Sequence, residues 1–238
     1  MTERGGHPDL DVAAAVEQAR SAITALRMHP ANRTGWPRTA AAASVRAARA
    51  SAALDGAPLL LDTGAATVGD PILAGSLRVA GALGSMVTVW PRSPLQVLAR
   101  LHTLAAADIA DSADLGRPRP GAGAHLPALA ALVTTAPFPG PVQVAMVHGT
   151  VLALRPFGEA NGVVARAAAR LTMISSGLDP GGLSVPETAY LRAGDRYRSA
   201  AAGFASGDRE LGVRWQWESA RWLVEGAMEG RSIADATV

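Results

Sequence analysis

The sequence predicts an all-α protein. Three observations carry that reading. Apolar residues recur at helical spacing in one segment after another. Pro, Gly and Asp stand where helices start and stop. No segment shows the strict apolar–polar alternation of a half-buried strand. The 238 residues, 49% of them hydrophobic, are enough for a large core.

The elements follow in order. Over residues 11–27, Val12, Val16, Ile23 and Leu26 repeat at helical spacing, and Asp9 and Asp11 suit a helix start. Residues 30–37 hold Pro30, Gly35 and Pro37 and read as a connector. A helix over 38–54 stops at Asp55-Gly56, with Gly as its cap. Asp70 caps a helix over 71–89 that begins on Pro71 and stops at Trp90-Pro91. Ser93-Pro94 opens the next, which carries Leu95, Val97, Leu98, Leu101 and Leu104. Residues 108–124 contain Gly116, Pro118, Pro120, Gly121 and Gly123, too many breakers for a plain helix connection. This segment reads as a functional lid or a disordered loop, with short extended segments at its flanks forming a small β-hairpin flap. Helices follow over 126–134, 141–154, 162–176, 186–205 and 209–230. The organisation expected is an appended N-terminal helix and connector (1–37), a main helical domain (38–230) and a frayed tail (231–238).

Composition excludes several classes. There is no Cys, hence no disulfide framework, thiolate metal site or Cys nucleophile. All 22 basic residues are Arg, against 20 acidic ones, for a net charge of +2. Arg without Lys reads as GC-rich coding, and no dense basic stripe marks a nucleic-acid partner. The longest stretch without a charged side chain, 120–154, carries Pro120, Pro127, Pro137, Pro139 and Pro141, so it does not read as a membrane span. Residues 1–7 hold no apolar run of the kind a secretory signal needs. A soluble cytoplasmic protein is expected, with no membrane partner.

Familiar catalytic motifs are missing. His7, His29, His102, His125 and His148 form no HExxH pair, and there is neither a nucleophile elbow nor a P-loop. His102 and His148 lie within apolar helices and read as buried, hydrogen-bonded histidines. Trp215 and Trp222, like Tyr190 and Tyr197, are seven apart and read as core. Arg192, Arg196 and Arg198 read as a solvated face.

The informative segment runs from Arg155 to Arg166: Arg-Pro-Phe-Gly-Glu-Ala-Asn-Gly-Val-Val-Ala-Arg. An apolar helix ends at Leu154, a turn with small residues follows, and a helix rich in Ala and Arg begins. Backbone N–H groups at a helix start are free to bind anions. Gly158, Ala160 and Gly162 permit close approach of a phosphate, Glu159 suits a phosphate-bridging Mg²⁺, and Arg166 adds a charged fork.

These residues resemble the signature of the Fic (Fido) family of protein adenylyltransferases, His-Pro-Phe-x-Asp/Glu-Gly-Asn-Gly-Arg-x-x-Arg. Pro156, Phe157, Glu159, Asn161, Gly162 and Arg166 match it. Arg155 replaces the His, Ala160 the first Gly and Val163 the first Arg. Upstream, Ala145 and His148 match the spacing of a family Ala and His, and Leu101-His102-Thr103-Leu104 approximates a family Leu-His-x-x-Leu element. Ser51, Asp55 and Gly56 resemble the inhibitory Ser/Thr-x-x-x-Glu-Gly motif, with Asp for Glu. The resemblance spans roughly 38–228 and implies a Fic-like helical domain.

The resemblance also implies roles. The motif His is the general base that deprotonates a target hydroxyl, which attacks the α-phosphate of ATP. Phe157 packs the loop, Glu159 ligates Mg²⁺, the amides of Asn161 and Gly162 form the anion hole, and Arg166 holds the γ-phosphate or is captured by the inhibitory carboxylate. The 108–124 loop corresponds to the flap that aligns the target peptide. Arg155 cannot act as a base, because it has no accessible neutral form. Losing a general base costs about 10²–10⁴-fold. The expectation is therefore a nucleotide-binding or regulatory pseudoenzyme, with ATP and Mg²⁺ as ligands and an unidentified protein target. Two alternatives stand beside it: an active AMP transferase with altered chemistry, and a non-catalytic interaction module that self-associates. For the pocket, Arg155 either grips phosphate or pairs with Glu159 and closes the turn. Asp55 either reaches Arg166 or simply ends its helix.

Overall fold

A computed structural model describes residues 10–58, 69–135, 138 and 140–237. The N-terminal stretch 1–9 with His7 and Asp9, the prolines Pro137 and Pro139, and Val238 lie outside the described residues. Ten α-helices form among the described residues: α1 (Val12–Arg27), α2 (Asn32–Leu54), α3 (Pro71–Met86), α4 (Pro94–Ala105), α5 (Leu126–Thr134), α6 (Gly140–Leu154), α7 (Asn161–Ser175), α8 (Pro186–Ala193), α9 (Asp195–Ala205) and α10 (Arg209–Ala236). No strand occurs among them, so the all-α expectation holds and the hairpin flap does not form. Residues 108–124 instead run through successive turns into a 3₁₀ turn, Ala122–His125. No helix among the described residues is long and apolar enough to cross a membrane.

The helix α7 is the axis of the molecule. Every residue from Val163 to Met173 is buried, which suits a helix apolar nearly all round. Its Ala-rich surface lets α6, α4 and α3 approach closely. On one side Leu98, Leu101, Val151, Val164 and Leu171 form the main core. On another, Met173 joins Ile23, Leu26, Leu183 and Leu223. A third cluster packs Tyr190, Tyr197, Trp215 and Trp222 between α6, α8, α9 and α10. The paired aromatics at heptad spacing are thus core, as expected. Arg192, Arg196 and Arg198 do face solvent, and each is ion-paired, Arg196 with the buried Glu218.

Helix boundaries differ from expectation at three places. The connector at 30–37 is mostly helix: α2 starts at Asn32, whose amide donates to the Leu26 carbonyl (2.9 Å), and it runs through Pro37. A proline there leaves only the Arg33 carbonyl without a helical donor, and Arg33 is exposed to water. The expected helix 186–205 is two, broken at Gly194 with φ 53°. α10 continues past Gly230, because Ile233 packs with Ala43, Ala47 and Val185. The residues read as a frayed tail are therefore helical to Ala236. The residues read as an appended helix, α1, pack along α10 in the shared core.

Candidate functional site

The bend between α6 and α7 is built from strained but well-held backbone. α6 ends at Leu154 and α7 starts at Asn161. Arg155 and Ala160 frame the bend at φ 43° and φ 54°, in the left-handed region. That conformation costs a residue with a Cβ roughly 1–2 kcal/mol, which is the physical reason a glycine suits position 160 better. Asn161 closes the bend: its carboxamide accepts from the Phe157 N–H (3.0 Å) and donates to the Phe157 carbonyl (2.8 Å). The Asn161 side chain is thus engaged within the turn, and only its backbone amide is left for a ligand. Phe157 is buried, and its ring stacks on His102 at 4.1 Å and 4°. The Nδ1 of His102 accepts from the Gly116 N–H at 2.9 Å. Burial holds His102 below its ordinary pKa, against the opposing pull of Asp114 and Glu159.

The start of α7 presents donors, and a carboxylate of this chain already occupies part of them. The first helical hydrogen bond runs from Val164 to the Ala160 carbonyl, so the amides of Asn161, Gly162 and Val163 have no helical acceptor. Val163 donates to one oxygen of Asp55 (3.0 Å), and the Arg166 guanidinium donates to the other (2.7 Å). Arg166 is 3% exposed, and its Nε and Nη2 also donate to the Ser51 hydroxyl (2.8 Å) and carbonyl (2.9 Å). Burial works against the Arg166 charge, but Asp55 and Tyr197 together outweigh it and hold the pKa above its usual value. A Cβ on Gly162 would lie 2.3 Å from Asp55 Oδ1, so glycine is what admits the carboxylate. Asp55 therefore both ends α2 and reaches Arg166, and Gly56, at φ 104°, turns the chain away behind it. Ser51 and Asp55 both bind the Arg166 guanidinium, and Gly56 makes the turn that follows them.

An open cavity of about 380 Å³ lies in front of the bend. Asp55, Arg155 and Glu159 supply its charge, and Ile72, Ile109 and Leu152 supply an apolar wall. Gly158, Ala160, Asn161 and Gly162 line its floor, and a Cβ at Gly158 would meet no protein atom within 4 Å. Arg155 and Glu159 are exposed and form no ion pair with each other among the described residues, so they do not close the turn. Val163 points its side chain into the main core. Among the described residues there is no group of three or more His, Asp and Glu able to cage a metal. Glu159 alone still fits a Mg²⁺ that takes its other ligands from phosphate and water.

His148 is 1% exposed and does not line the cavity. Its Nε2 lies 2.9 Å from the Tyr197 hydroxyl, and burial together with Arg166 lowers its pKa to about 3. It is a neutral core group, as its sequence context suggested. Arg170, four residues from Arg166, is separately neutralised by Glu187. Sequence reasoning missed Arg119, which donates through Nε to the Arg155 carbonyl (2.6 Å) and through Nη2 to the Leu154 carbonyl (3.0 Å). It also missed the apolar wall, whose members come from three separate segments.

No protein-family model matches this sequence, and no curated protein matches it. Solved structures do. A Fic family protein from Desulfovibrio desulfuricans G20 superposes with a TM-score of 0.73 at 19% identity, covering 97% of this chain and 77% of its own. A variant of Fic-1 from C. elegans gives 0.72 at 16% identity, covering 92% of this chain and 72% of its own. A second structure of Fic-1 gives 0.68 at 14%, with 93% and 74% coverage. The helices that bring Asp55, Arg155 and Arg166 together are therefore arranged on the Fic fold.

Proposed function

We propose that this chain is a nucleotide-binding regulatory protein on the Fic fold, held in a closed state by its own carboxylate. The observation that carries the reading is the double capture of Asp55 by the Val163 amide and the Arg166 guanidinium. Free helix N-terminal amides beside a buried cation are a site for anionic oxygens, and Asp55 supplies those oxygens from within. A phosphate that displaces it inherits both donors. Arg155, exposed at the cavity edge, adds a second cation. Glu159 would hold Mg²⁺, which when bound neutralises phosphate charge. The apolar wall of Ile72, Ile109 and Leu152 offers a surface for the uncharged part of the ligand.

Transfer of AMP to a hydroxyl needs a group that takes the hydroxyl proton. Arg155 stands where the resembled signature has its base, and a guanidinium is not a group that can accept that proton. No histidine is among the residues lining the cavity. These features favour binding without transfer.

Calorimetric titration with ATP, ADP and GTP, with and without Mg²⁺, tests the proposal on the wild-type chain and on Asp55→Ala. Removing Asp55 is expected to tighten ATP binding by about tenfold or more, since a charge-assisted hydrogen bond is worth roughly 1.5–3 kcal/mol. Absence of binding by both proteins to all three nucleotides overturns the reading. A phosphoryl or nucleotidyl adduct on a protein substrate, seen by mass spectrometry, overturns its non-transferring part.

A further inference from the structure

The cavity-side cation Arg155 sits on backbone that does not hold itself. At φ 43° it occupies a conformation that costs a non-glycine residue roughly 1–2 kcal/mol. Its neighbours Leu154 and Pro156 complete the C-terminal end of α6, where carbonyls lose their helical donors and the helix dipole is negative. Three consecutive carbonyls here accept from one residue. The Arg119 Nη2 donates to Leu154 (3.0 Å), its Nε to Arg155 (2.6 Å) and its backbone N–H to Pro156 (2.8 Å). The rest of that segment is anchored nearby. Gly116 donates to His102, whose ring stacks on Phe157, and Ile109 forms part of the cavity wall.

We infer that Arg119 is a positioning residue: by capping the end of α6 it fixes the left-handed backbone of Arg155 and thereby aims the Arg155 guanidinium at the cavity. This rests on the reading of that cavity as an anion site. Without the Arg119 fork, the Arg155 backbone relaxes toward negative φ and its side chain leaves the cavity edge. Lysine is a poor replacement, because its flexible, strongly hydrated ammonium lacks the planar fork that Nε and Nη2 present to the two carbonyls. The segment 108–124 then acts as a strap across the outside of the bend, with Arg119 as its clasp.

The test is a thermodynamic cycle read in ATP affinity, on an Asp55→Ala background, with Arg119→Ala, Arg155→Ala and the pair. Each single change is expected to weaken ATP binding about tenfold, and the pair no more than Arg155→Ala alone, because Arg119 acts through Arg155. Arg119→Lys is expected to behave like Arg119→Ala. Additive losses, or an unchanged affinity in Arg119→Ala, overturn the inference. A ligand-free measurement separates it from the function proposed above. Amide exchange at Arg155 and Phe157, the bend amides that donate hydrogen bonds, is expected to accelerate at least tenfold in Arg119→Ala, while exchange within α7 stays unchanged. If ATP binds none of the variants but the bend loosens in this way, the nucleotide reading fails and the positioning role stands. If exchange at the bend does not change, the positioning role fails whatever the affinities show.

Discussion

Ala160 lies at the mouth of the donor site, with φ 54° and ψ 18° immediately before α7. An alanine there keeps its Cβ against the local carbonyl, whereas glycine has no such contact. Ala160→Gly is expected to stabilise the protein by about 0.5–1 kcal/mol, the relief of strain minus the greater freedom glycine has in the unfolded chain. Urea denaturation at neutral pH measures it, and a destabilised variant would show that the bend does not carry this strain. Gly162 shows the opposite logic. Its φ is ordinary, and its glycine is required by Asp55 rather than by the backbone. Both positions were visible in the sequence as small residues of a bend. What the sequence did not show is which was small for conformation and which for contact, because that depends on a carboxylate more than a hundred residues away.

At the scale of elements, the site depends on how closely helices approach. The start of α8 crosses α10 so tightly that a Cβ on Gly226 would lie 2.5 Å from the Pro186 nitrogen, and the Gly226 carbonyl accepts from Val185 at 2.9 Å. Gly226→Ala must push the two backbones apart, at a cost of about 1–3 kcal/mol. A shift of the urea midpoint of that size is expected, and a neutral effect would mean the crossing yields. This glycine sits mid-helix and looks like an ordinary interruption in the sequence. The helices themselves were legible, because each carries its own apolar period and caps such as Asp70 and Pro71. Their ends were less so. Pro37 reads as a breaker and is helical, and residues 231–236 read as frayed and are held by Ile233. For the tail a packing partner distant in sequence decides the outcome, whereas exposed Pro37 is accommodated locally, near the start of α2, where the one carbonyl it leaves without a donor faces water. Arg119 was hidden for a different reason: in a chain whose basic residues are all Arg, one more arginine in a Pro-rich loop carries no local signal.

At the scale of the whole molecule, the buried histidines link the fold to pH. His148 lies between Tyr190, Tyr197 and Trp215, with Arg166 as the nearby charge. Its folded pKa is lowered to about 3, first by burial and then by Arg166. In the unfolded chain the imidazole takes up its proton near pH 6.5. Between those values the unfolded state binds the extra proton, so stability rises with pH and falls on acidification. His148 therefore contributes nothing adverse above about pH 6.5, and below it removes roughly 1.4 kcal/mol of stability per pH unit. His102, lowered by its own burial, pulls in the same direction. His148→Gln keeps a polar group opposite the Tyr197 hydroxyl but cannot take up a proton. Between pH 7 and pH 5, this variant is expected to lose about 2 kcal/mol less stability than the wild-type chain, measured by urea denaturation at both values. Equal losses would mean that His148 reaches water in the folded state and takes up its proton there. In that case the polar group behind Arg166 is not sealed, and the anion site faces an internal charge that changes with pH.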